Sequence, residues 1–197
     1  MLRFGITGRS GTGKSTVAAL FAPYGVHHLD ADRVVHDLYS PGSPCAAAVA
    51  ARFGGDLLTG EGRVDRRRLG QIVFADPGAL RDLERIVHRF VGEEIAAVEA
   101  EQARLGARAL LVDAIALIEG GQHTGPLVVV TAPYALQLAR IMARDGIDEA
   151  AARARLDAQK PESFFLDHAD YVIHNTGDLE ALRRQVDEVA ARLGLLP

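Results

Sequence analysis

One stretch, Gly8-Arg9-Ser10-Gly11-Thr12-Gly13-Lys14-Ser15-Thr16, limits what this chain can fold into more than any other. It matches G-x-x-x-x-G-K-[ST] at every specified position. A short apolar run, Leu2 to Ile6, precedes it, and a helix-like run with Val17, Leu20 and Phe21 follows. The order predicts strand, glycine loop, helix. Backbone N–H groups of such a loop cradle nucleotide phosphates, with Lys14 reaching the outer phosphates and the Ser15 hydroxyl placed to ligate Mg²⁺. The start of the helix adds partial positive charge. Gly11, Thr12, Gly13, Lys14, Ser15 and Thr16 are therefore the expected ATP-binding set.

The choice of cation supports this. Among 22 Lys and Arg residues, lysine stands only at Lys14 and Lys160. A chain that otherwise uses arginine keeps lysine in the loop, where a compact point charge on a flexible stem fits and a planar guanidinium does not.

A length of 197 residues suits one α/β domain with insertions. The net charge of -4 gives no general basic field, which argues against nucleic acid as a partner. Cys45 is the single cysteine, so neither a disulfide framework nor a cysteine metal cluster is expected. The seven histidines show no metal-ligand spacing. The N-terminus carries no secretory pattern and no apolar run approaches a membrane span. These features predict a cytoplasmic chain with no membrane partner.

Along the chain, Leu2 to Thr7 is the first expected strand. Val26 to Leu29 is the second, ending in Asp30-Ala31-Asp32. In an open parallel sheet, ligands bind beyond the carboxyl ends of the strands. Either Asp30 or Asp32 has the chemistry to take a proton from a hydroxyl nucleophile, and either can instead cap the helix expected over Arg33 to Tyr39. Residues 33–105 hold several helical patterns and a turn around Thr59-Gly60-Glu61-Gly62, too much for a single crossover. They read as a helical substrate-binding insertion. Ala109 to Asp113 is the third strand, and an apolar strand ending in Asp has the character of a second nucleotide motif that holds Mg²⁺ through water. Glu119 would line the same cleft or be solvated. Leu127 to Thr131 is the fourth strand. Its following helix carries Arg140 and Arg144 on one face, a pair able to clamp a phosphoryl group or, for Arg144, to bridge Asp145. A lid is expected over 146–168. Tyr171 to Ile173 is the fifth strand, followed by Asn175, whose amide would read an adenine edge. A last helix from Asp178 would bury Leu179, Leu182, Val186, Val189 and Leu193.

These residues together resemble the dephospho-coenzyme A kinase family over nearly the whole chain. The resemblance is carried by Gly5-Ile6-Thr7-Gly8 leading into the loop, Asp30-Ala31-Asp32, Pro41-Gly42 and Pro44, and Asp65-Arg66-Arg67 with Phe74. It continues through Arg140-Ile141-Met142-Ala143-Arg144-Asp145-Gly146, Ala158-Gln159 and Ile173-His174-Asn175. Departures are Arg9 in place of the second glycine of the usual Gly-Gly and Ala114 to Ile118 after the third strand. Phe164-Phe165 stands where basic residues are common.

The resemblance implies an α/β P-loop kinase fold: a five-stranded parallel sheet flanked by helices, a nucleotide-binding core over 1–32 and 106–197, a helical substrate-binding insertion over 33–105 and a lid. It implies ATP-dependent phosphorylation of the ribose 3′-hydroxyl of dephospho-CoA, with Mg²⁺ and ATP. By position, Asp32 would be the base, Lys14 and Arg140 would stabilise the moving phosphoryl group, and Asn175 would lie at the adenine. Thr7, Asp30, Asp113 and Glu119 are the candidates for the substrate side. The alternatives are another P-loop nucleoside or nucleotide kinase, or a non-catalytic nucleotide-binding regulator; a pure binder has no use for a base beside the phosphates.

Overall fold

The apolar strands explain the centre of the molecule. In this computed structural model, which describes residues 1–114 and 125–196, five strands form one sheet: β1 (Leu2–Thr7), β2 (Val26–Asp30), β3 (Ala109–Asp113), β4 (Leu127–Thr131) and β5 (Tyr171–His174), in the order β2-β3-β1-β4-β5. β1 runs parallel to β3 with Leu2 opposite Ala109 and Ile6 opposite Asp113, and parallel to β4 with Gly5 opposite Leu127. β4 pairs in parallel with β5, Val128 opposite Tyr171. Every residue of β4 is buried, as is all of β3 except Asp113. Runs without polar alternation are what a sheet covered on both faces demands. At the outer edge, the Gln185 side chain does the work of a neighbouring strand. Its Oε1 accepts from His174 N at 2.8 Å and its Nε2 donates to His174 O at 3.0 Å, so the last backbone groups of β5 are paired.

The helices around the sheet are α1 (Lys14–Leu20), α6 (Tyr134–Asp145), α7 (Glu149–Asp157), α8 (Glu162–Leu166) and α9 (Leu179–Arg192). Phe4, Ile6, Val17, Phe21, Val128 and Ile173 lie in the main core, and the Phe4 and Phe21 rings meet edge-on with centroids 5.3 Å apart. α9 buries Leu182, Val186 and Val189 as its periodicity predicts. Leu179 is instead 48% exposed: it is the first residue past the Asp178 cap, before the stripe turns inward. α1 stops at Leu20, and Pro23 lies within a separate 3₁₀ turn, Ala22–Tyr24.

The remaining helices are α2 (Ala31–Leu38), α3 (Pro44–Phe53), α4 (Arg66–Ala75) and α5 (Pro77–Arg104). The chain divides into two compact units. One holds Met1–Leu29 and Glu99–Pro197, and the other Asp30–Val98. Within the helical unit, side-chain caps fix where helices begin. Asp30 accepts from Arg33 N at 3.0 Å, Ser43 from Cys45 N at 3.1 Å, and Asp65 from Arg67 N and Arg68 N, both at 3.0 Å. Residues 59–62 form a turn closed by a Leu58–Val64 antiparallel bridge.

Two titratable groups are buried in this unit. Cys45 has no exposed surface and Tyr39 is 6% exposed. Burial pushes the Cys45 thiol up to about 11 against an opposing pull from Arg89. It raises the Tyr39 hydroxyl to about 12, with the Cys45 side chain adding to the shift and Arg66 opposing it. Both therefore stay neutral over the physiological range. A cleft of about 510 Å³ in the same unit is walled by Val35, Tyr39, Leu69, Val73 and Phe74, with Arg66 and Arg67 among its lining. Phe74 is 84% exposed. Among the described residues, no helix is long and apolar enough to cross a membrane.

Candidate active site

β1 ends in Thr7, which is fully buried, and the chain turns at Gly8 into the loop. The loop closes on itself through Thr12, whose Oγ1 donates to Arg9 O at 2.9 Å. Its glycines are sterically required at two close approaches. A Cβ on Gly11 would lie 2.5 Å from Gln137 O, and one on Gly13 would lie 2.3 Å from Asn175 Nδ2. Both residues also have positive φ, +78° and +89°. The loop is thus pressed against α6 on one side and the end of β5 on the other. Lys14 Nζ donates to Gly8 O at 3.2 Å, so its stem curls back along the loop. Ser15 and Thr16 are exposed in the first turn of α1.

Arg140 and Asn175 hold the loop from outside. Arg140 Nη1 donates to Gly11 O at 3.2 Å and Thr12 O at 3.3 Å, while Nη2 donates to Asn175 Oδ1 at 3.2 Å. Asn175 is 4% exposed. Its Nδ2 donates to Thr12 O at 2.8 Å, and its Oδ1 also accepts from Gly177 N at 3.3 Å. In a trans peptide the C=O of one residue and the N–H of the next point opposite ways. Anchoring the Thr12 carbonyl outward therefore aims the Gly13 N–H away from Asn175. The Asn175 amide, expected at an adenine edge, makes hydrogen bonds to Thr12, Gly177 and Arg140.

A cleft of about 430 Å³ opens beside the loop, lined among others by Arg9, Thr131, Tyr134, Gln137, His174 and Asn175. Thr131 Oγ1 and His174 Nδ1 are 2.8 Å apart across its floor. Gln137 is 2% exposed and donates through Nε2 to Ala132 O at 2.6 Å. Among the described residues, the buried side-chain polar atoms without a hydrogen-bond partner are Gln137 Oε1 and Arg9 Nε. Both belong to residues lining this cleft, one an acceptor and the other a donor. Sequence reasoning gave no role to Gln137. The available signal was its place three residues before Arg140 in α6, on the face that turns to the loop.

Asp113 ends β3 beside Ile6 of β1, with Oδ2 at 3.5 Å from His28 Nε2. Asp30 and Asp32 belong to the helical unit. Asp30 is the N-cap of α2, and Asp32 is exposed in the first turn of that helix, which starts two residues ahead of the expected Arg33. Of the two roles open to Arg144, pairing with Asp145 is the one seen. Nε and Nη2 donate to the carboxylate at 2.7 and 3.0 Å, and these bonds hold the Asp145 carboxyl below its ordinary range. Lys160 Nζ sits 5.5 Å from the Phe164 ring centroid. Glu119 and Ile115 to Ile118 lie outside the described residues.

A family model described as dephospho-CoA kinase matches residues 2–181. A dephospho-CoA kinase of Syntrophotalea carbinolica is 42% identical over 195 residues, covering 98% of this chain and 92% of that protein. A solved protein of Thermus thermophilus superposes with a TM-score of 0.70 at 35% identity, covering 98% of this chain and 97% of its own. A solved dephospho-CoA kinase of Campylobacter jejuni superposes with a TM-score of 0.57 at 28% identity, covering 97% and 96%.

Proposed function

The chain belongs to the dephospho-CoA kinase family, and we propose that its reaction is ATP-dependent phosphorylation of the ribose 3′-hydroxyl of dephospho-CoA, giving CoA and ADP. The observation that carries this reading, beyond membership, is the loop held in place by Arg140 and Asn175. These bonds fix the direction of the loop's backbone groups, and phosphoryl transfer is catalysed almost wholly by such positioning and charge.

In this reading Lys14 leaves the Gly8 carbonyl for the outer phosphates of ATP. Arg140 lies against the same loop and supplies charge to the phosphoryl group in transit. Asp32, by its position in the family's Asp-Ala-Asp motif, accepts the proton of the attacking 3′-hydroxyl, and Asp30 caps α2. Asn175 serves ATP by aiming the loop. The helical unit receives the substrate: its cleft joins apolar walls to Arg66 and Arg67, chemistry suited to a pantetheine arm and a pyrophosphate.

Mg²⁺ fits the donors present. The Ser15 hydroxyl and the Asp113 carboxylate are hard oxygen ligands, and Mg²⁺ is ordinarily held by one or two protein oxygens with phosphates and water completing the octahedron. Held by Ser15 and Asp113, it would supply positive charge to offset the charge that develops on the phosphates.

The deciding assay incubates the purified chain with Mg-ATP and dephospho-CoA, AMP or adenosine in parallel, and follows products by mass. Formation of CoA with dephospho-CoA alone is expected. Turnover of AMP or adenosine with none of dephospho-CoA would overturn the assignment in favour of a nucleotide or nucleoside kinase.

A further inference from the structure

Phosphate binding needs Gly11 to Thr16, yet the two residues before them also make long-range contacts. Arg9 Nη2 donates to Leu156 O at 2.5 Å. Ser10 N donates to Gln159 Oε1 at 3.0 Å, and Gln159 Nε2 donates to Ser10 Oγ at 2.6 Å. Leu156 lies in the last turn of α7, where a cation is favoured, and its carbonyl also accepts from Gln159 N at 3.1 Å. The C-terminal end of α7, within the expected lid, is therefore hooked to the loop at two consecutive residues.

The other end of the same body also grips the loop. α6 and α7 share a small cluster of their own, Leu138, Ile141, Ala152 and Leu156, separate from the main core. α6 carries Arg140, bonded to Gly11 O and Thr12 O. The α6–α7 pair thus holds Arg9 and Ser10 through α7 and its exit, and Gly11 and Thr12 through α6. The Gly-Gly usual at this place would have no side chain to reach Leu156.

We propose that Arg9 is a positioning residue that couples the α7 lid segment to the phosphate loop, so that nucleotide binding in the loop and ordering of the lid reinforce each other. This rests on the reading of Gly8 to Thr16 as the ATP phosphate site. Coupling is reciprocal: whatever factor the nucleotide contributes to lid order, an ordered lid returns to nucleotide affinity.

The test is amide hydrogen exchange over residues 149–160 of the full chain, with and without a non-hydrolysable Mg-ATP analogue. In the unsubstituted protein the analogue should slow exchange throughout that stretch. In Arg9→Gly the slowing should shrink about tenfold, as loss of one charge-assisted hydrogen bond implies, with KM for ATP rising by a similar factor and kcat changing less. Arg9→Lys should restore part of the slowing. Gln159→Ala, which removes the second hook, should reduce it independently. A lid that responds to the analogue equally in the unsubstituted protein, Arg9→Gly and Gln159→Ala would overturn the proposal. Exchange requires nucleotide alone, so a chain that fails to phosphorylate dephospho-CoA would count against the substrate assignment while exchange still decides the coupling.

Discussion

The two units bury polar groups in opposite ways. Around the phosphate loop, Ser10, Thr12, Gln137 and Asn175 are buried and hydrogen-bonded, in a network that reaches Arg140. In the helical unit, Tyr39 and Cys45 are buried and kept neutral by desolvation, and the charges sit outside, as in the Arg68–Asp56 pair at 2.8 Å. A buried polar network held mostly by hydrogen bonds is costly to assemble but restricts its side chains, and suits a site that must meet phosphate charge. An apolar interior with a charged rim is adaptable and suits a long, mostly uncharged substrate arm. Under the proposed function, charge stabilisation falls to the sheet unit and acceptor recognition to the helical unit.

The sharpest way to break this division is Asp32→Asn. If the helical unit supplies the base, turnover should fall by about 10³-fold, within the range for a lost general base. ATP affinity, measured by calorimetry, should stay within about twofold, because the nucleotide side is untouched. Near-normal turnover would remove Asp32 as the base and turn attention to Asp30.

A change at Asn175 probes the other unit and has a smaller expected effect. Asn175→Ala leaves the Thr12 carbonyl and the Arg140 guanidinium each short of one partner. Loss of a buried hydrogen bond costs roughly 1–3 kcal/mol, so kcat/KM for ATP should drop about ten- to hundredfold. Asn175→Asp keeps an acceptor for Arg140 but cannot donate to Thr12 O. If Asp and Ala are equally damaging, the aim of the loop is what matters. If Asp is close to the native residue, holding Arg140 matters more. An unaffected Ala variant would show that the network is not needed for nucleotide use.

How far the sequence could be read follows the same contrast. The loop and all five strands are local patterns: glycines at fixed spacing, short apolar runs, Asp at two strand ends. Their positions in the structure match the reading within a residue or so. The resemblance carried the family, since Asp-Ala-Asp, Arg-x-x-x-Arg-Asp and a terminal Asn are jointly far more specific than the loop. What could not be read is where side chains point. Asn175 bonds Thr12 across 163 positions and Arg9 bonds Leu156 across 147, and no periodicity reports such pairings. Spacing alone did not say which of Asp30 and Asp32 caps the helix, and the structure gives that place to Asp30. Leu179 fitted the helical stripe by spacing, yet a helix's first residue need not share the burial of its later turns.

The smallest expected effect concerns the helical unit's interior and needs only Cys45. Raising a thiol from 9.0 to about 11 leaves about a hundredfold less thiolate at pH 8, and the thiolate is the reactive form. Alkylation of the folded chain by iodoacetamide should therefore be at least about a hundredfold slower than that of a small free thiol, and urea should abolish the difference. The shift also fixes a sign for stability. A folded-state value above the unfolded one means the folded chain holds more protons between the two, so this contribution is complete below about pH 9 and is lost as pH rises through 11. Tyr39, raised from 10.0 to about 12, extends the same decline upward. The urea midpoint should accordingly be level up to about pH 9 and fall above it. Cys45 that reacts at the rate of a free thiol at pH 8, with a midpoint level through pH 11, would mean that this interior is open to water. The contrast between a desolvated helical unit and a hydrogen-bonded phosphate side would then not hold.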